Sequence, residues 1–244
     1  MYTLRLALVA FVLASLALAQ GTTALAASGY MLFGDAEIVS GGNPGNAAQL
    51  RSDESPGFGG VDFDTPAGMT VSDLTNLSTD YKFTAASCGG GAPRFQINVT
   101  TPASLTKNIH VYIGPPPNYT LCPPNVWANT LNLVTPASLV DTGQLPGGTF
   151  YDPWAHVLIA YGSYPVTGIQ LVTDSTWFFA GATQTVVVDN VVINSTTYTF
   201  EPEPTKDSCK KGGWQDFTSS PGPFKNQGDC VSFFASGGKN EADE

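Results

Sequence analysis

The ten residues Thr185-Val-Val-Val-Asp189-Asn-Val-Val-Ile193-Asn194 constrain the fold more than any other stretch of the chain. Five of the ten are valine, whose β-branched side chains suit a pleated, buried surface. Taken at period two, Val187, Asp189, Val191 and Ile193 share one face, and Val186, Val188, Asn190 and Val192 share the other. A strand apolar on both sides belongs inside a sheet and under cover. The Asp189-Asn190 pair in its middle is the exception, because a buried carboxylate is costly unless it is paired, hydrogen-bonded or bound to metal.

The rest of the sequence is written for similar, shorter strands. Only 12% of the 244 residues are charged, while 26 are glycine and 18 are proline. Short strands joined by many turns produce that balance, and long amphipathic helices do not. Arg94-Phe-Gln-Ile-Asn-Val-Thr100 alternates strictly, with Phe95, Ile97 and Val99 on one face and Arg94, Gln96, Asn98 and Thr100 on the other. Ile109 to Ile113 repeats the pattern, placing His110 and Tyr112 outward on an exposed face. In Gly60-Val-Asp-Phe-Asp64 the two aspartates, Asp62 and Asp64, lie opposite Val61 and Phe63. Further strands are expected at 31–33, 36–39, 46–51, 70–77, 79–83, 166–173, 177–179 and 197–200. Residues 114–164 read as a loop-rich section, with any helix confined to a turn or two near Pro153–Ala160. The expected fold is all-β, a two-sheet sandwich.

Residues 1–26 have the layout of a secretory signal peptide: Arg5, an apolar run from Leu6 to Ala19, and small-residue cleavage signals at Ala17-Leu-Ala19 and Ala24-Leu-Ala26. No later segment reaches 18 apolar residues, so no membrane insertion of the mature chain is expected. The sandwich is assigned to residues 28–200, a Pro-interrupted acidic linker to 201–206, a clasped module to 207–235 and a disordered end to 236–244. Four cysteines behind a signal peptide imply two disulfides in a secreted protein, with three pairings open. Local closure on either side of the linker favours Cys88 with Cys122 and Cys209 with Cys230. Trp214, Phe217, Phe224 and Phe233 are expected to pack around the second bridge, since so small an element has no other core.

Two resemblances follow from these residues. The section from Gly34 to Phe200, closing on a Trp-containing turn and Val188-Asp-Asn-Val-Val-Ile193, resembles the jelly-roll sandwiches of secreted bacterial proteins, carbohydrate-binding modules among them. The tail resembles a cysteine-clasped module of actinobacterial-type secreted proteins through Cys209, Gly212-Gly-Trp214, Phe217, Phe224-Lys-Asn-Gln-Gly228 and Cys230-Val-Ser-Phe233. The first resemblance implies a jelly-roll-like arrangement and a structural calcium ion tying the first strand to the last, for which Asp35 or Glu37 with Asp189 would be the ligands. The competing reading has no cofactor, with Asp189 capping a turn or bonding Asn190 at a bulge.

Function is less constrained. A net charge of −10 with sparse, scattered Lys and Arg excludes a nucleic-acid partner. Trp127, Tyr151 and Trp154, with Asp152 as acceptor, form the aromatic set that would bind a sugar, the alternative being rings that plug the core. No Gly-x-Ser-x-Gly or His-Glu-x-x-His motif is present, and Asp152 with His156 supplies two members of a triad without a nucleophile. The expectation is therefore a non-catalytic, monomeric extracellular protein that binds a glycan or cell-surface component. A structural or adhesive role is the alternative, and a hydrolase with unidentified carboxylates ranks last.

Overall fold

The computed structural model describes residues 29–175, 178–179, 181–217 and 221–238. The segment expected to be a signal peptide, Trp177 and residues 239–244 of the expected disordered end lie outside the described residues. Two antiparallel sheets face each other. One has five strands in the order β1 (Tyr30–Gly34), β4 (Gly59–Phe63), β11 (Val166–Thr173), β6 (Arg94–Thr100) and β7 (Thr106–Tyr112). The other runs β2 (Ala36–Ser40), β3 (Asn46–Ser52), β12 (Gln184–Ile193), β5 (Leu77–Ala85) and β8 (Ala128–Asn129), with β13 (Thr196–Tyr198) also on β12. A small ribbon of β9 (Leu139–Val140) and β10 (Asp152–Pro153) leads into helix α1 (Trp154–Tyr161). No helix among the described residues is long and apolar enough to cross a membrane.

The chain changes sheets where its sequence breaks. Gly34 has φ +62° and sits so close to Phe58 that a Cβ would strike its carbonyl oxygen and ring. That turn sends β1 to β4 in one sheet and β2 to β3 in the other. Between the layers, Val61, Phe95, Ile97, Ile109 and Leu171 meet Leu50, Phe83, Val186, Val188 and Val191, all at most 1% exposed. At about 25 cal/mol per Å² of apolar surface removed from water, this layer is the main source of stability.

The strand β12 is central in its sheet, but its faces are not those of uniform alternation. Asn190 has φ +47°, and the register with β5 shifts between Asp189 and Val192. This β-bulge adds one residue and reverses the alternation. The core therefore receives Val186 and Val188 before the bulge and Val191 and Ile193 after it. Val187 lies on the outer face between its register partners Gln49 and Lys82 and is 4% exposed. Asp189, 1% exposed, accepts hydrogen bonds from the backbone N–H groups of Asn43 (2.6 Å) and Asn190 (2.7 Å). Burial pushes its carboxyl above the usual carboxylate range, those two donors oppose the push, and Glu201 and Asp80 add to it.

Residues 70–77 are not a strand up to Leu77. They form a single 3-10 turn, Val71–Asp73, in which the Asp73 carboxylate accepts from the Thr70 N–H and hydroxyl, both at 2.8 Å. A local side-chain bond of this kind competes with the ladder and wins. Both disulfides join as the linker argument expects, Cys88 to Cys122 and Cys209 to Cys230. The first bridge lies in the main core. The second has its own small cluster with Phe224, against which Trp214, Phe217, Phe233 and Phe234 pack. Part of this clasp is helical, where the sequence points to no helix: α2 (Gln227–Ala235) starts where the Asn226 side chain accepts from the Asp229 N–H.

Candidate functional site

The outward side chains of the five-stranded sheet make an organised polar surface. Met31, Asp62, Gln170, Gln96 and His110 are successive register partners across all five strands, and His110 bridges on to Asp141. Four strand spacings make this row about 19 Å long. The neighbouring row reads Phe33, Gly60, Val172, Arg94 and Tyr112, with an aromatic ring at each margin. Gly60 is required there, because a Cβ would run into the Phe33 ring lying beside it.

The row is interlocked. Gln96 donates to Gln170 Oε1 at 3.1 Å and receives a long contact from Arg94 Nη2 at 3.4 Å. Arg94 grips both carboxylate oxygens of Asp174, at 2.7 and 2.8 Å. At the far end the Tyr112 hydroxyl donates to Asp141 Oδ2 at 2.7 Å, the Gly143 N–H donates to Oδ1 at 2.8 Å, and His110 Nδ1 stands 3.8 Å from Oδ2. Burial alone would raise the Asp141 carboxyl; the His110, Tyr112 and Gly143 donors outweigh it and hold the group below the usual range. Burial and the Asp141 hydrogen bond push the Tyr112 phenol well up, so it remains a neutral donor at any physiological pH. Asp62 is held above the usual range by burial first and by Asp64 second, against a hydrogen bond from Gln170.

Two atoms in this face have no partner among the described residues. Arg94 Nε and His110 Nε2 are both buried and both unsatisfied. A buried polar atom left without a partner costs about 1–3 kcal/mol. His110, expected on an exposed face, is half-buried in the row instead. Aromatic rings gather at this margin: Tyr112 meets Tyr119 and Phe150 at ring separations of 5.2 and 5.5 Å, and Phe150 meets Tyr151 at 4.6 Å. Phe150 and Tyr151 are exposed here, as Met31 and Phe58 are at the opposite margin.

The aromatic set anticipated from the sequence is not brought together. Trp154 opens α1 with its ring 1% exposed in the core, so it plugs the sandwich and has no face for a sugar. Asp152 is 1% exposed and committed to Thr142 (2.7 Å) and to His156 Nδ1 (2.6 Å). Trp127 precedes β8 at the other sheet, under Lys82 Nζ at 4.7 Å from its ring centroid. Of the four residues only Tyr151 flanks the polar row, its hydroxyl bonded to the Pro117 carbonyl. The carboxylates suggested for calcium are dispersed as well. Asp35 faces Arg51 at 3.4 Å, Glu37 accepts from Gln49 at 2.8 Å, and Asp189 is taken by Asn43 and Asn190. Glu37 is two strands from β12, roughly 10 Å across the sheet. Among the described residues no group of three or more His, Cys, Asp or Glu is arranged to hold a metal.

No family model matches the chain, and no curated protein does. Among solved structures it is similar to the family 11 carbohydrate-binding module of the cellulosomal cellulase Lic26A-Cel5E of Clostridium thermocellum, at 17% identity over 67% of this chain and 85% of that one, with a TM-score of 0.40. A Clostridium thermocellum module of that family in complex with a beta-1,3-1,4-mixed-linked tetrasaccharide gives 17% identity, 67% and 86% coverage and a TM-score of 0.39. An exo-beta-agarase gives 13% identity over 71% of this chain and 24% of that one, with a TM-score of 0.32.

Proposed function

We propose that this protein binds a carbohydrate chain laid across the outer face of its five-stranded sheet, and that it works outside the reducing cytoplasm. The observation that carries the reading is the unbroken row Asp62–Gln170–Gln96–His110–Asp141, with aromatic or apolar side chains at both margins. Sugar hydroxyls need fixed donors and acceptors, and the C–H faces of pyranose rings need apolar surface beside them. Side chains already locked to one another lose little freedom when a ligand arrives. Two disulfides support the oxidising setting.

A glycan array, followed by depletion assays on the insoluble polysaccharides that score, tests this reading. Gln96→Ala and His110→Ala should each weaken binding about tenfold or more. Trp127→Ala, on the other sheet, should leave it unchanged. A blank array, or binding lost with Trp127 and kept without Gln96, overturns the assignment of this face.

A further inference from the structure

At one end of the sandwich, away from the polar row, the turn between β6 and β7 and the 144–146 turn border an open hollow of about 520 Å³. Its walls are mainly apolar, from Pro102, Leu105, Leu145, Pro146 and Tyr164, and Leu105 is 55% exposed. The hollow is firmly framed. Gln144 accepts from the Asn108 N–H at 3.2 Å, the Pro146 carbonyl accepts from the Tyr161 hydroxyl at 3.1 Å, and the Tyr161 and Tyr164 rings meet edge to face at 5.5 Å.

One charged side chain lines it. Lys107 shares strand parity with Ile109 and Val111, which face the core, so it belongs to the inward series of β7 and not to the polar row. It is half-buried, with no carboxylate within ion-pair distance among the described residues. The other three cations of the sandwich are engaged: Arg51 by Asp35 and Asp53, Arg94 by Asp174, and Lys82 by the Trp127 ring. In a chain carrying twice as many carboxylates as cations, a lysine with no carboxylate beside it at the edge of an apolar hollow stands out.

We propose that this hollow is a binding site for a small molecule with an apolar body and a single carboxylate, the body against Leu105, Leu145 and Tyr164 and the carboxylate on Lys107. The volume suits such a ligand, and the charge supplies what the protein withholds from Lys107. The site is independent of the carbohydrate reading.

The experiment compares 4-phenylbutyrate with 4-phenylbutan-1-ol, which share the apolar body and differ in charge. Methyl resonances of Leu105 and Leu145 are followed in the full mature chain at low salt. The acid should shift both and bind about tenfold more tightly than the alcohol. Lys107→Gln should bring the two ligands to equal affinity, and Leu105→Asp, at an exposed position that tolerates the change, should abolish both. Equal affinities in the native chain, or no methyl shift at millimolar ligand, overturn the proposal. A chain ending at residue 238 is the second control: if only that chain binds, the acidic end 239–244 is the natural occupant and the proposal falls.

Discussion

Replacing Asn190 by alanine isolates the device that turns β12 over halfway along. Alanine pays a penalty in the left-handed region, and the substitution also removes donors to the Asn43 carbonyl (2.6 Å) and Asp80 (2.9 Å). A loss of about 2 kcal/mol in urea denaturation is expected, with Asn190→Gly recovering roughly half. An unchanged midpoint for the alanine variant would mean the bulge is not held by this residue. Asp62 offers a pH test. Its raised carboxyl binds protons more tightly folded than unfolded, so the fold loses stability as pH climbs from the ordinary carboxylate range through the raised one. Asp62→Asn should therefore raise the melting temperature at pH 7 and give no gain at pH 3, where both states are protonated; a gain equal at both values refutes the account. The sequence flagged Asp189-Asn190 as the anomaly of its strand, and hydrogen bonding at a bulge was one of the open readings. The reversal of faces was not legible, because alternation is counted from residue to residue and a bulge leaves no mark in composition.

Among the elements, α1 and the polar row teach opposite lessons. Trp154 sits where the sequence allowed both a platform and a plug, and a chain of letters cannot tell a ring turned outward from one turned inward. Trp154→Ala should cost about 3–5 kcal/mol in denaturation experiments, as a filled core position does, whereas a surface platform would cost almost nothing. For the row, the faces were legible: Arg94, Gln96 and Asn98 alternate cleanly against Phe95 and Ile97, and Asp62 opposes Val61 and Phe63. What could not be read was the order of strands. Residues 62, 170, 96 and 110 become neighbours only through the pairing of β4, β11, β6 and β7, and alternation names a face without naming who stands next to it.

For the whole molecule, the decisive fact is two cores of very unequal size. The main one joins both sheets, whereas the tail cluster amounts to Cys209, Phe224 and Cys230 with a few half-buried rings. A bridge spanning 21 residues contributes about 3 kcal/mol by closing that loop, which is most of what so small a unit can hold. Graded reduction with trapping of free thiols should therefore label Cys209 and Cys230 well before Cys88 and Cys122, while the sandwich keeps its melting temperature. Simultaneous labelling of all four would show that the two cores unfold as one. The exposed prolines between the two cores complete the picture. A polypeptide built this way would age from one end: proteases and thiols would trim its short partner first and leave a truncated but intact sandwich still at work.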